Sequence, residues 1–393
     1  MKILLVHNLY QQKGGEDSVL GAEKKLLLDH GHEITEYLRD NHEISDYSPI
    51  KKLSLVFATA WSSESYDEVT GLLQKHKPDI AHFHNTLPLI TPSVYYACHA
   101  KGVPVVQTLH NYRLICPGAL LMRDGKICED CLTGSVYKSL LHKCYRGSAP
   151  GTFAVARMID YHRKRRTWKN EVDRFIALTN FARDKFIEGG LPAEKIAVKP
   201  NFVDVPARPD KNNERTGALY VGRLSHEKGI FTLITAWRKL DMPLRLAGDG
   251  PMMEDVINTG LHNITALGLC EPEKVNEEME RSEFLIMPSQ WYEGFPMALV
   301  EAFAHGLPVI ASRLGGMAEI VEDGVTGLHF TPGDPDDLAE KVRWMIGHPD
   351  ERKRMGENAR RIYEEKYTPE RNYEMMRNIY KQAIDERSRR VGS

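Results

Sequence analysis

Two spacings of apolar residues alternate along this chain. Lys2 to Val6, Ile80 to His84, Val103 to Leu109 and Arg174 to Leu178 are short, nearly continuous apolar runs, as strands covered on both faces of a parallel sheet require. Between such runs the period lengthens to that of a helix. From Ser18 to His30, Val19, Leu26 and Leu27 share one helical face, and Gly31 supplies the stop. The texture changes between Pro200 and Thr216, where a polar stretch rich in turn formers reads as a linker. A second alternating set follows, with strands expected at Leu219 to Val221, Leu244 to Ala247, Ile264 to Leu267, Phe284 to Met287 and Val309 to Ala311. Two β/α halves predict an α/β protein made of two Rossmann-like, doubly wound domains, residues 1–200 and 201–368. Ligands of such sheets bind beyond the C-terminal strand ends, which predicts domains facing a cleft. Pro369 to Arg387 is amphipathic and reads as a last helix within 369–393.

Size agrees with two cores, since 393 residues exceed what one usually holds. A formal net charge of −2 gives no general attraction to nucleic acid. No stretch is long and apolar enough to cross a bilayer. The opening Met1-Lys-Ile-Leu-Leu-Val-His7 lacks a cleavage-type site and reads as a first strand. Six cysteines without a secretory signal point to a reducing, cytoplasmic location.

The chemistry concentrates in Glu293-Gly-Phe-Pro-Met-Ala-Leu-Val-Glu301. Phe284 to Met287 is a buried-strand pattern and Ala298 to Ala304 a helical one stopped by Gly306, so the carboxylates flank a loop-to-helix junction. A helix start offers unpaired N–H donors and partial positive charge, and so can hold a phosphate. Two acidic side chains beside an anion site make sense if they accept hydrogen bonds from sugar hydroxyls on either side of a pyrophosphate. Arg223 and Lys228 lie five apart between a strand and a helix, supplying a planar fork and a point charge for phosphate oxygens. No acidic metal motif of the D-x-D type occupies the strand-end loops; Asp336-Asp337 reads as a helix cap and Asp249 as a turn former.

This segment resembles the E-x7-E signature of the retaining glycosyltransferases of family 4, of the bacterial polysaccharide-biosynthesis type. Tyr220-Val-Gly-Arg-Leu-Ser-His-Glu-Lys-Gly229, Leu246-Ala-Gly-Asp-Gly-Pro251, Gly315-Gly-Met-Ala-Glu-Ile-Val321, Gly324-Val-Thr-Gly-Leu328 and Gly14-Gly15-Glu16 match further blocks of that family in order and spacing. The resemblance implies the GT-B fold, with an N-terminal acceptor-binding domain and a C-terminal donor-binding domain. It implies that the last helix crosses back to the first domain. It also implies a hexosyltransferase using a UDP- or GDP-sugar, with a hydroxyl of a glycan or lipid-linked glycan as acceptor. No cofactor is required for transfer, because Arg223 and Lys228 would neutralise the diphosphate in place of a metal. By the same resemblance Glu301 binds the ribose, Glu293 the transferred sugar, and the backbone N–H groups of Phe295, Met297 and Ala298 complete the cradle. Pro296 stands where the family often has Gly and cannot donate. His110, at a strand end, matches a histidine that contacts the donor sugar. Gly15 falls to the donor, Gly14 and Glu16 to the acceptor. Turning no substrate over and merely binding sugar nucleotides, or epimerising them, are the competing readings.

Two further features stand outside that pattern. Cys116, Cys128, Cys131 and Cys144, in an insert over 114–146, form C-x11-C-x2-C-x12-C around the hairpin-like turn Arg123-Asp-Gly-Lys126. Four thiolates so spaced can hold a structural zinc; the alternative is four reduced cysteines packing a loop. Arg163-Lys-Arg-Arg166 with Trp168 reads either as a basic, aromatic-flanked helix for peripheral contact with anionic lipid at the inner membrane face, or as a solvated charged face. His82 and His84 alternate on one strand and read as packing; Asn180 reads as a strand-end cap.

Overall fold

The computed structural model describes residues 1–11, 14–205 and 215–391. Residues 206–214, most of the expected linker, lie outside the described residues. The chain divides into two compact units: Met1–Leu121, Cys128–Pro200 and the chain from Asn372 onward form the first, Met122–Ile127 and Asn201–Arg371 the second.

The first unit is built on strands β1 (Lys2–Leu9), β2 (Glu33–Asp40), β3 (Ile80–Asn85) and β4 (Val105–Leu109). After a short hairpin of β5 (Met122–Arg123) and β6 (Lys126–Ile127) come β7 (Arg174–Ala177) and β8 (Ile196–Val198). The sheet order is β2-β1-β3-β4-β7-β8, parallel throughout. The order reverses between β1 and β3, and loops leaving the sheet there diverge to opposite faces and open a crevice. The second unit repeats the plan with β9 (Ala218–Val221), β10 (Leu244–Ala247), β11 (Ile264–Gly268), β12 (Phe284–Met287), β13 (Val309–Ser312) and β14 (Gly327–Phe330). Its order, β11-β10-β9-β12-β13-β14, places the switch between β9 and β12.

Burial follows the two-residue period of a strand. On β12, Phe284 and Ile286 enter one core with Trp237, Leu246 and Ile310. Leu285 and Met287 enter another with Phe303, Val309 and Tyr363. Both faces are thus covered, which is why these strands read as unbroken apolar runs. β4 begins at Val105 rather than Val103, because Pro104 lacks an N–H; its carbonyl instead accepts from Ala81 (2.9 Å). β2, β8 and β14, absent from the expected strands, are the outer strands of their sheets. β2, Glu-Ile-Thr-Glu-Tyr-Leu-Arg-Asp, buries only Tyr37 and so carries no apolar run.

The last helix, Pro369–Val391, packs within the first unit. Tyr380 Oη bonds His82 Nδ1 (2.7 Å), Arg387 pairs with Asp173 (2.7 Å), and Asn372 donates to the Pro200 carbonyl (2.7 Å).

Candidate functional site

At the switch point of the second sheet, the loops after β9 and β12 press together. Gly229 sits in the left-handed region (φ 74°), and a Cβ there would stand 2.0 Å from the Pro288 carbonyl oxygen. Only glycine permits that approach. The Gln290 N–H reaches the Glu227 carbonyl across the same seam (2.8 Å). Lys228 is thereby set against the loop that carries Glu293. Its Nζ donates to Glu293 Oε1 at 2.7 Å and Oε2 at 3.0 Å. Oε1 also accepts from Ser289 Oγ (2.6 Å) and Trp291 Nε1 (3.0 Å). Glu293 is buried; its Oε1 is held by one cation and two neutral donors, while Oε2 accepts from Lys228 alone.

Arg223 stands apart from this cluster. Tyr220 Oη donates to its carbonyl (2.8 Å) and fixes the turn. Its guanidinium is exposed, with no partner among the described residues. Glu301, half-buried on the helix Met297–Ala304, likewise has no partner there, and burial pushes its carboxyl up to about 6. Pro296 caps that helix, and the N–H groups of Phe295, Met297 and Ala298 make no backbone hydrogen bond outside it. The loops after β9 and β12 therefore offer, between them, an uncommitted cation, unpaired N–H donors and an uncommitted carboxyl. Asp249 turns the neighbouring loop, its carbonyl accepting from Leu224 (2.9 Å). Asp334, rather than Asp336-Asp337, caps its helix by accepting from both of their N–H groups (2.9 and 3.1 Å).

In the first unit the loop after β1 leads into the helix Gly15–Asp29, with Gly14 at its cap. Gly14 has φ −130°, open to any residue, and a Cβ on Gly14 or Gly15 would meet nothing within 4 Å. The fold itself makes no demand for glycine at either position. Glu16 accepts from Asn111 Nδ2 at 2.6 Å, while its Oε2 is buried without a partner. Burial drives its carboxyl up to about 6 against hydrogen bonds from Asn111 and Tyr10. Asn111 follows His110, so the ends of β1 and β4 meet here. His110 is buried, and its Nε2 lies 2.9 Å from His84 Nδ1. Burial lowers His110 to about 3, so it is neutral at ordinary pH. Tyr10, Asn111, Ser289, Trp291 and His84 were not among the expected site residues. Ser289 and Trp291 lie within the signature's own stretch, and proximity to Glu293 was the available signal.

The cysteine insert brings Cys116, Cys128, Cys131 and Cys144 into one neighbourhood within the first unit, none of them in a disulfide. A Cβ on Gly118 would stand 3.6 Å from Cys144 Cβ and 3.8 Å from Cys116 Sγ. Burial, then the Cys116, Cys144 and Cys128 sulfurs, push the Cys131 thiol up to about 12. Asp124 and Gly125, at φ 51° and 74°, form the tight hairpin turn read from Arg123 to Lys126. The metal-ligating types whose donor atoms all lie within 4.8 Å of one another among the described residues are Glu23, His82 and His84 instead. Lys199 already neutralises Glu23 through Oε1, and both His82 nitrogens are hydrogen-bonded, so His82 has no lone pair left to offer a metal.

Two expectations are corrected. Trp168 is not a surface flank: it is buried, edge-on to Tyr95, because its short helix caps the first unit's core. Arg163 turns inward to the carbonyls of Ile115, Cys131 and Gly189 (3.4–3.5 Å), and Arg165 lies over the rings of Trp61, Tyr96 and Tyr161. Lys164, Arg165, Arg166 and Lys169 stay exposed, so Trp168 and Arg163 alone depart from the expected face. Among the described residues no helix is long and apolar enough to cross a membrane. The cap after β7 is Thr179, accepting from Ala182 N–H (3.0 Å), with Asn180 opening the helix behind it.

Comparison with known proteins bears on family and fold. Residues 204–362 match the family model "Glycosyl transferases group 1", and residues 25–206 match "Glycosyltransferase Family 4". An uncharacterized glycosyltransferase of Methanocaldococcus jannaschii, MJ1178, is 36% identical over 171 residues, 42% of this chain and 48% of that relative. With this relative, then, the alignment spans about half its length. A second from the same organism, MJ1607, is 24% identical over 371 residues, covering 90% and 88% of the two chains. The crystal structure of Anabaena Alr3699/HepE in complex with UDP superposes with a TM-score of 0.66 at 20% identity, covering 99% of this chain and all of that one. At that identity the likeness shows a shared GT-B fold.

Proposed function

We propose that this chain, a member of the glycosyltransferases whose family 4 and group 1 models together match residues 25–362, transfers a sugar from a nucleoside diphosphate to a hydroxyl with retention of configuration. The observation that carries the reading is that the two loops at one sheet switch point carry an open Arg223 guanidinium on the first and unpaired N–H groups at Phe295, Met297 and Ala298 on the second, with the uncommitted Glu301 carboxyl one turn along. An anionic diphosphate flanked by hydroxyl-bearing groups complements that set. Lys228 arrives paired to Glu293. A diphosphate oxygen would compete for Nζ and let it share its protons between Glu293 and the leaving group. Charge building on that leaving group as the glycosidic bond breaks is then met by donors already in place. Glu293, oriented by Ser289 and Trp291, is left to accept from the sugar. A leaving-group phosphate oxygen takes the acceptor hydroxyl's proton in front-face attack, so no protein nucleophile is needed. His110 contacts the donor sugar, Gly14 and Gly15 leave room for close backbone approach, and Glu16 meets the acceptor, a glycan or lipid-linked glycan. A panel of UDP- and GDP-sugars, scored for donor consumption with and without acceptor, tests this. Transfer that survives EDTA supports the reading. Loss with EDTA and rescue by magnesium or manganese, or consumption that is epimerisation, overturns it.

Glu301 gives a separate expectation. Its folded value, about 6 against 4.5, is raised, so the folded state holds its proton more tightly than the unfolded chain. Its contribution to stability therefore falls as pH rises from about 4.5 to about 6 and is fully unfavourable above. Glu301→Gln should raise stability at pH 7 by up to about 2 kcal/mol, less what solvent screens, while weakening nucleotide binding. Thermal denaturation beside nucleotide titration checks both. A variant that binds nucleotide as well as the parent removes the ribose role.

We propose that the four-cysteine insert takes up one structural zinc, which would tie together a stretch whose regular sheet is two residues per strand. Gently purified protein should carry close to one zinc per chain by elemental analysis. Cys128→Ser should lose it, with faster proteolysis between Leu114 and Tyr145 and nucleotide binding largely kept. A metal-free chain with a protease-resistant insert would identify the thiols as packing.

A further inference from the structure

Within the first unit, a sealed row of polar side chains ends on His110. Lys199, Glu23, His82 and His84 are fully buried. Lys199 Nζ donates to Glu23 Oε1 (2.6 Å) and Asn372 Oδ1 (3.2 Å). The other Glu23 oxygen, Oε2, is buried without a hydrogen bond, and so is His84 Nε2. These two orphaned atoms lie 3.6 Å apart. On its far side His84 Nδ1 stands 2.9 Å from His110 Nε2, with the rings stacked at 20°. His82, beside His84, spends its nitrogens on Tyr380 Oη and Thr108 Oγ1, both at 2.7 Å, and takes no part in the row. That leaves His110 Nδ1 without a partner among the described residues, at the C-terminal end of β4.

The protons in this row are determined by its buried end. Glu23 is ionised: burial pushes its carboxyl up, but the Lys199 charge and hydrogen bond, together with the neighbouring His84 and His110, outweigh that and hold it below the ordinary value. A carboxylate oxygen facing a ring nitrogen favours an N–H there and disfavours a lone pair. Neutral imidazole has one N–H and one acceptor, so a proton on His84 Nε2 makes its Nδ1 an acceptor. His110 must then donate from Nε2, and its Nδ1 is a bare lone pair. We propose that Glu23, acting through His84, fixes His110 as the Nε2–H tautomer, so that β4 ends in a hydrogen-bond acceptor that selects a hydroxyl and turns away a phosphate. Burial keeps both rings neutral at ordinary pH, so His110 offers no positive charge to an anion. Glu23 and His84 are positioning residues in this arrangement. The choice of a sugar hydroxyl as occupant rests on the function proposed above; the tautomer does not.

Nitrogen-15 spectra of the full chain labelled at histidine, with His110 assigned by its loss in His110→Gln, read the tautomer directly. The parent chain should show His110 protonated at Nε2 and bare at Nδ1. Protonation at Nδ1 in the parent overturns the proposal, whether or not any other variant folds and whether or not the chain transfers sugar. Glu23→Gln should reverse the row: with its carbonyl on Lys199, its amide would donate to His84 Nε2, and both histidines would switch to the Nδ1–H form. A folded Glu23→Gln chain whose His110 stays in the parent form means Glu23 does not set it, and the proposal fails. Saturating inorganic phosphate should leave the parent Nδ1 signal unchanged; its protonation by phosphate overturns the selectivity.

Discussion

Lys228→Ala lowers sugar transfer by about tenfold to more than a hundredfold, the worth of roughly 1.5–3 kcal/mol for a charge-assisted contact to the leaving group. It also weakens the second unit before any donor is present. Glu293 Oε1 accepts from Lys228, Ser289 and Trp291, and its side chain is 6% exposed against 20% for Lys228. Removing the cation leaves a buried carboxylate with two neutral donors, which costs up to about 3–5 kcal/mol where burial is complete. The two effects separate in Lys228→Ala/Glu293→Gln. That chain should regain most of the lost thermal stability and none of the transfer. Turnover like the parent's in a folded Lys228→Ala protein would remove Lys228 from the reaction. Recovery of transfer in the double variant would mean that the lysine serves Glu293 alone.

Lys199→Met has the largest effect expected in the first unit. Lys199 and Glu23 form an ion pair at 2.6 Å with both side chains wholly buried. Breaking such a pair from one side costs about 3–5 kcal/mol, whereas replacing both partners with apolar groups is often neutral. Lys199→Met/Glu23→Leu should therefore be more stable than Lys199→Met. The pH dependence changes sign as well. In the parent chain Glu23 lies below its ordinary value, so its stabilising contribution is present above the unfolded-state value and lost as pH falls through the folded one. Without Lys199, burial acts nearly unopposed and raises the carboxyl. Stability then declines as pH rises from the unfolded-state value toward the raised one. Denaturant melts from pH 4 to 8 on the two chains decide this; parallel curves would show that Glu23 is not held by Lys199.

The residues proposed to meet the donor were legible because they are local. Arg223, Lys228, Glu293 and Glu301 occur in two short stretches, each a strand end, a glycine-shaped turn and a helix start, and one sheet switch point joins them. Even there no local pattern signals that Lys228 is bonded to Glu293, since 65 positions separate them. The buried row behind His110 was invisible for the same reason on a larger scale. Lys199 and Glu23 lie 176 positions apart, and a lysine before a proline reads as surface. Trp168 misled in the opposite direction. Its basic neighbours make a local pattern suited to lipid, but what decides its position is edge-on packing against Tyr95, which no local period encodes. Outer strands such as β2 escaped because half-covered strands need no apolar run.

The return of the last helix makes the second unit an insertion within the first. Everything from Asn201 to Arg371 is synthesised before Tyr380 can reach His82 or Arg387 can reach Asp173. At 5–20 residues per second that interval is on the order of ten to thirty seconds. During it the emerging first sheet holds a histidine and an aspartate without their final partners, while the second unit has all of its strands in hand. Order of birth and order of completion are thus opposed. The half of the chain made first matures last, and a nascent chain stalled before its final helix would expose one finished unit and one unfinished one.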